Sequence, residues 1–373
     1  MGTQFLHGVE VQEIDSGSRV IRTAKSSVIG IIGTAPEADN EAFPLNTPIL
    51  VTHSNRLAEK LGIEGTLKSS IDSLFTQIGA VCVVVRVTET EDESEDQTTK
   101  DNIITGLEAF LASESTIHVT PRILIAAAFT NDTEVLTAMI PIAERLKAII
   151  VADGPNTNDT DAIGYASELG SSRVYIVDPW VKVNDKILPP SPFVAGLIAK
   201  SDNERGFWHS PSNQEIFGIT GLARPIDFSF GDSNCSANIL NENNVATIIH
   251  QSGYKLWGNR TTSSDTKWSF LSVRRTADLI NDSLLKAHLW AVDRNITRTY
   301  LEDVCESVNA YLATLKAQGA ILGGYCWAPR DINSAANIQD GKVYFDFEFT
   351  PPYPAESITF RSYLTNDYIN EII

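Results

Sequence analysis

Residues 268–292 read WSFLSVRRTADLINDSLLKAHLWAV. Arg274 and Arg275 open a helix in which Thr276, Ile280, Leu284, Ala287 and Ala291 recur at three- and four-residue spacing and so share one face. The next run repeats the pattern: Leu301, Val304, Cys305, Val308, Leu312 and Leu315 make one apolar stripe, and Gly319 is placed to end it. After the segment GAILGGYCWAPRD, residues Val343, Phe345, Phe347 and Phe349 alternate with Tyr344, Asp346 and Glu348. That strict period of two predicts an amphipathic strand over Val343–Thr350. Two helices and a strand predict a compact α+β module over residues 254–357.

Upstream the pattern changes to short apolar strands separated by helices. SVIGIIGTAP, TPILVT and AVCVVVRV read as strands, with SNRLAEKLG and TLKSSIDSLFTQIG as helices between them. RILIAAAF, AIIVAD and RVYIVDP are further strands. IITGLEAFLA, EVLTAMIPIAERLK, DAIGYASELG and PFVAGLIAKSD are helices, and residues 206–230 are irregular. This alternation predicts an α/β domain with a largely parallel sheet over residues 25–253, with residues 89–100 the candidate split between two subdomains. The ends are arms. Phe5, Val9 and Val11 suit an extended strand over residues 1–24, and Ile358, Phe360 and Leu364 suggest another over residues 358–373. A terminal strand cannot hold itself and needs an edge in its own domain or in a neighbour's.

A chain of 373 residues can bury a large core, and a net charge of −18 argues against nucleic acid and against anionic membranes as partners. The charge is uneven, since residues 254–330 hold ten Lys/Arg against seven Asp/Glu. Either a relatively basic surface meets an acidic partner, or the charges are scattered surface pairs. Cys82, Cys235, Cys305 and Cys326 show no CxxC spacing and read as reduced core residues of a chain made in a cytoplasm. The N-terminus lacks the basic and apolar regions of a signal peptide, and no apolar run is long enough to span a bilayer.

Catalytic signatures are sparse. GIIGTAP has a glycine pair but neither GxGxxG nor GxxxxGK[ST], so its glycines read as strand packing and a turn rather than a phosphate cradle. The six histidines fall in no HxxxH or HExxH pattern, which leaves no metal centre and no cofactor to assign. An α/β hydrolase would want a GxSxG elbow, and GSSR at residues 170–173 lies between a helix and a strand, the wrong order for it. A cytoplasmic α/β hydrolase or nucleotide-binding enzyme stays open as the alternative function.

The segments GYKLWGNRTTSSDTKWSFLSVRRTADLI, GAILGGYCWAPRD and FEFTPPYPAESITF resemble the C-terminal domain of contractile tail sheath proteins. HGVEVQEIDSGSRVIRTAKSSVIGIIGTAPEAD and FPLNTPILVT resemble the N-terminal part of the same family, so the likeness spans nearly the whole chain. The resemblance implies a non-enzymatic structural subunit of a phage tail or a phage-tail-like bacteriocin. Such subunits are assembled in the host cytoplasm into stacked hexameric rings, a helical homopolymer. Its partners would be further copies of itself, an inner tube, and baseplate and tail terminator proteins. A sheath shared between two proteins of a secretion apparatus is a related alternative. The resemblance also implies that the arms add strands to neighbouring subunits, with Phe5, Val9, Val11, Ile358, Phe360 and Leu364 as donors and Val343, Phe345 and Phe347 on the accepting edge. Arg274, Arg275, Lys286, Arg294 and Arg298 admit two readings. Spacing alone makes them a solvated face paired with Asp278, Asp282 and Asp293, whereas the resemblance makes them a basic helix facing the tube.

Overall fold

The computed structural model describes residues 21–52, 55–90 and 96–371. In chain order, the first part contains β1 (Val28–Thr34), β2 (Pro48–Thr52), α1 (Asn55–Ala58), α2 (Leu67–Phe75), β3 (Val81–Val87) and α3 (Asp96–Gly106). It continues with α4 (Ser113–Ile117), β4 (Ile123–Ile125), α5 (Thr133–Leu146), β5 (Ile149–Asp153), α6 (Asp159–Ser167) and β6 (Val174–Val177). A small hairpin of β7 (Val181–Val183) and β8 (Lys186–Leu188) leads to α7 (Ser191–Glu204), β9 (Gly221–Leu222), α8 (Ser236–Glu242), β10 (Val245–His250) and β11 (Tyr254–Trp257). The last part holds α9 (Leu271–Ala287), α10 (Arg298–Ala317), β12 (Gly323–Trp327), α11 (Ala335–Gln339) and β13 (Asp346–Thr350).

Eight strands form one sheet in the order β11-β10-β6-β5-β4-β1-β3-β2. The inner strands are parallel, and β2 and β11 close the two edges antiparallel. Period two divides the side chains between two cores. Ile29, Ile31, Cys82, Val84, Ile149, Val151 and Tyr175 face α2 and α7. Val83, Val85, Leu124, Ile150, Val174 and Ile176 face α3, α5 and α6. The glycines of GIIGTAP lie inside β1 rather than in a loop after it, and a Cβ on Gly30 would come 2.7 Å from Leu124 Cδ2. They permit close packing.

One assignment changes. Tyr254–Trp257, read from the sequence as the start of the C-terminal module, pairs with Thr247–His250 as the outer strand of the large sheet. The cause is the tight connection at Ser252 and Gly253, both at positive φ, which folds the strand back on β10. The hairpin β7–β8 lies between RVYIVDP and PFVAGLIAKSD, a stretch to which the sequence reading gives no element, and it turns at Asn184, also at positive φ.

The C-terminal module packs α9 and α10 under the two-stranded sheet β12–β13. Leu279, Ile280, Val308, Leu312, Leu315 and Ile321 form its buried core, and burial of each such side chain contributes about 1.5–3 kcal/mol. Gly319, at φ +80, ends α10 as its place after the apolar stripe requires. Ile21 joins this core, while Thr23 Oγ1 lies 3.1 Å from the Tyr311 hydroxyl and Ala24 N donates to Ser283 Oγ at 2.9 Å. The last residues of the expected N-terminal arm therefore pack on the C-terminal module of their own chain.

Candidate assembly surfaces

Helix α9 begins with the two arginines singled out above, and the structure removes one of them from any surface. The Arg275 guanidinium donates to both oxygens of Asp202 on α7, at 2.6 Å for Nη1–Oδ1, and to Ser26 O at 3.2 Å. Its side chain is 5% exposed. Arg274 binds Asp278 at 2.8 Å, one turn along, and lies over the Trp268 ring at 4.3 Å. Its side chain is also largely covered. The reason is that α9 lies across the amino ends of the parallel strands. Arg173, just before β6, donates to Asp278 at 2.8 and 3.1 Å, and Arg122, just before β4, is ion-paired with Asp282. This face of α9 is a charged seam between the two modules of one chain, not a solvated face or a tube-facing one.

The other three basic residues stay accessible. Lys286 sits 3.4 Å from Asp282 with its side chain half exposed, Arg294 lies over Trp290 at 5.1 Å, and Arg298 pairs with Glu302 at 2.8 Å while 90% exposed. They cluster where α9 ends and α10 begins.

That corner borders a groove of about 1120 Å³ whose walls include Leu284, Leu285, Leu289, Val292, Phe345 and Phe347. Of these, Leu285, Leu289 and Val292 are exposed. The strand beside it is shorter than its period-two pattern suggests. Val343 and Phe345 precede β13, because the side-chain amide of Asn333 takes both backbone groups of Tyr344: Tyr344 N donates to Oδ1 at 2.9 Å and Nδ2 donates to Tyr344 O at 2.9 Å. Val343, Phe345 and Phe347 are nonetheless half-buried on one side while Tyr344 and Glu348 face out. Pairing runs Cys326 with Phe347 and Tyr325 with Glu348. Among the described residues the small sheet has two strands, hence two open edges.

The C-terminal arm leaves this sheet. Tyr353 packs edge-on against Phe270, and Arg260 holds Glu356 at 2.7 Å. Beyond that point Ile358, Phe360 and Leu364 are 71%, 92% and 100% exposed and form no strand. Among the described residues of the single chain this segment pairs with no strand. Phe5, Val9 and Val11, the candidates of the N-terminal arm, lie outside the described residues.

The carboxyl ends of parallel strands, where α/β folds often bind ligands, are closed. Asp153, at the end of β5, is fully buried. It accepts from Ser191 N at 2.8 Å, Ser191 Oγ at 2.9 Å, Thr130 Oγ1 at 3.1 Å and Ala128 N at 3.2 Å. Burial pushes its pKa up to about 6, against the pull of those hydrogen bonds. Asp178, at the end of β6, is ion-paired with Arg224, which also binds Asp159. Burial raises the Asp178 pKa, and the nearby guanidinium opposes the rise. Among the described residues Ser191 meets a carboxylate here but no histidine, and it is itself fully buried, so this contact is not a nucleophile with its base.

Sequence comparison decides the family. The model described as phage tail sheath protein central domain matches residues 96–262, and that of the phage tail sheath C-terminal domain matches residues 263–365. A third, the tail sheath protein Gp18 domain III N-terminal region, matches residues 26–87. The chain belongs to the contractile tail sheath family. It is a structural sheath subunit of a phage tail or tail-like particle. A chain named as a prophage major tail sheath protein in Pseudomonas aeruginosa strain UCBPP-PA14 is 42% identical over 99% of both chains. The tail sheath protein of Escherichia phage P2 is 34% identical over 100% of this subunit and 98% of its own length. The fold matches that of the helical sheath of the anti-feeding prophage in its contracted state, with a TM-score of 0.73 at 21% identity over 98% of the sheath subunit and 100% of that chain.

Of the residues expected at assembly surfaces, the structure gathers Lys286, Arg294, Val343, Phe345 and Phe347 around the C-terminal module. It sets Ile358, Phe360 and Leu364 on an exposed tail. The residues that join the modules, Arg122, Arg173 and Asp202, carried no local signal. Each lies 73 or more positions from its partner on α9.

Proposed function

We propose that the subunit polymerises as stacked hexameric rings around an inner tube and contracts to drive that tube through a target envelope, with the baseplate and a terminator bounding the polymer. The carrying observation is the tail. Exposed apolar side chains at Ile358, Phe360 and Leu364 leave a module that itself has, among the described residues, a two-stranded sheet with open edges and an unfilled groove. An exposed edge and an exposed apolar strand are each other's natural partner, and the symmetry of a polymer supplies both on neighbouring subunits. The N-terminal arm, Phe5, Val9 and Val11 included, serves the same exchange.

Strand exchange gives the polymer a flexible weave that survives while other contacts are swapped, as a contracting assembly needs. The extended sheath is metastable, and the free energy stored at assembly does the work. Lys286, Arg294 and Arg298 face the tube, where exposed charges suit a contact that must later release. Assembly takes place in the host cytoplasm, and neither nucleic acid nor membrane is a partner of the subunit. Truncation tests the reading. Removing residues 1–20 or 358–373 is expected to leave a folded subunit by circular dichroism and abolish polymers in sedimentation. Polymers of normal length from both truncated chains would refute it.

A further inference from the structure

Helix α10 and strand β12 carry one cysteine each. Cys326 points inward, because it alternates with the exposed Tyr325 and stands opposite Phe347 in the small sheet. Cys305 lies on the flank of α10 that packs on the same core and is half-buried. One helical turn further on, Asn309 grips the backbone of Cys326 in both directions: Cys326 N donates to Oδ1 at 2.7 Å and Nδ2 donates to Cys326 O at 2.9 Å. A side chain with only two bonds beyond its Cβ spans the gap, so the helix passes the strand at close range. The two thiols are near enough for each to shift the other's proton affinity. Cys82 and Cys235 are buried in other clusters, away from this pair. Cys326 also lines the groove, which gives a small solute a way in.

We propose that Cys305 and Cys326 are a latent disulfide, reduced where the subunit is made and closed by a low-molecular-weight disulfide once the particle meets oxidising surroundings. The half-exposed Cys305 thiolate attacks the small disulfide, forms a mixed disulfide and releases one small thiol. The Cys326 thiolate then attacks the Cys305 sulfur and displaces the second small thiol. Two protein S–H bonds become one S–S bond, and one small disulfide becomes two thiols. Burial holds both thiols above their usual pKa, Cys326 at about 12, which makes the exchange slow and keeps the pair quiet during folding. The bond ties β12 to α10 and so stiffens the sheet whose edges are open. Its physiological timing rests on the proposed cytoplasmic assembly, whereas its chemistry can be tested on the subunit alone.

The test incubates purified full-length subunit with oxidised glutathione, then counts thiols after denaturation and maps cysteine peptides by mass spectrometry. The chain has four cysteines. The expected result is a fall from four thiols to two, with Cys305 and Cys326 in one linked peptide and dithiothreitol restoring four. Cys326→Ala is expected to stop at a stable glutathione adduct on Cys305, and Cys305→Ser to keep all three remaining thiols. Four thiols persisting in the native chain, a persistent adduct on it, or a linked peptide containing Cys82 or Cys235 would overturn the assignment. So would an unmodified Cys305 in the Cys326→Ala chain. These readouts do not depend on polymerisation, so failure here is distinct from failure of the sheath arrangement.

Discussion

Arg275 and Arg298 sit on adjacent helices with the same charge, and their surroundings give them opposite roles. Arg275 is paired with Asp202 inside the protein, so Arg275→Met leaves a buried carboxylate without its counter-ion. It is expected to destabilise the chain by about 3–5 kcal/mol in urea denaturation. The double change Arg275→Met with Asp202→Leu is expected to recover most of that loss, because it removes both desolvation costs. Arg298→Ala, at a fully solvated pair, is expected to leave the urea midpoint unchanged. Asp153 gives a pH signature. Its folded pKa of about 6 lies above the usual aspartate value, so the folded chain binds the proton more tightly than the unfolded one. Its contribution is therefore fully present below about pH 4 and is lost as pH rises through about 6, a change of about 2–3 kcal/mol. Denaturation of the native and Asp153→Asn chains at several pH values should show their difference shifting across that window. A difference flat from pH 4 to pH 7 would contradict the assignment.

At the scale of the element, the C-terminal tail separates folding from assembly. Phe360→Asp and Leu364→Asp change side chains that touch solvent in the single chain, so thermal unfolding should not move. Polymer yield by sedimentation should fall at least tenfold, because each buries a charge in the exchanged strand. The strands and helices of the α/β domain were legible because period-two and helical spacing reflect burial directly, as β1 and β3 show. The charged face of α9 was not. Asp278 and Asp282 are four residues apart and look like a solvated row, but their partners Arg173 and Arg122 are over a hundred positions away. Spacing along one helix cannot report what covers it. The short β13 is a similar case: alternation marked the inward side of Val343 and Phe345 correctly, but Asn333, ten and more residues upstream, decides where the ladder starts. The hairpin at Asn184 did carry a signal, alternating residues around an Asn-Asp turn.

At the scale of the molecule, the buried ion pairs join the two modules, while the exposed groove, open sheet and tail have no partner among the described residues of one chain. A subunit built this way is stiff inside and incomplete outside, which suits a part that moves as a body within a woven polymer. The most direct measurement is negative-stain electron microscopy of the purified chain across a concentration series, with its cognate tube and baseplate present. The account predicts hollow cylinders or stacked rings that lengthen with concentration. Dispersed monomers or dimers at every concentration would contradict it.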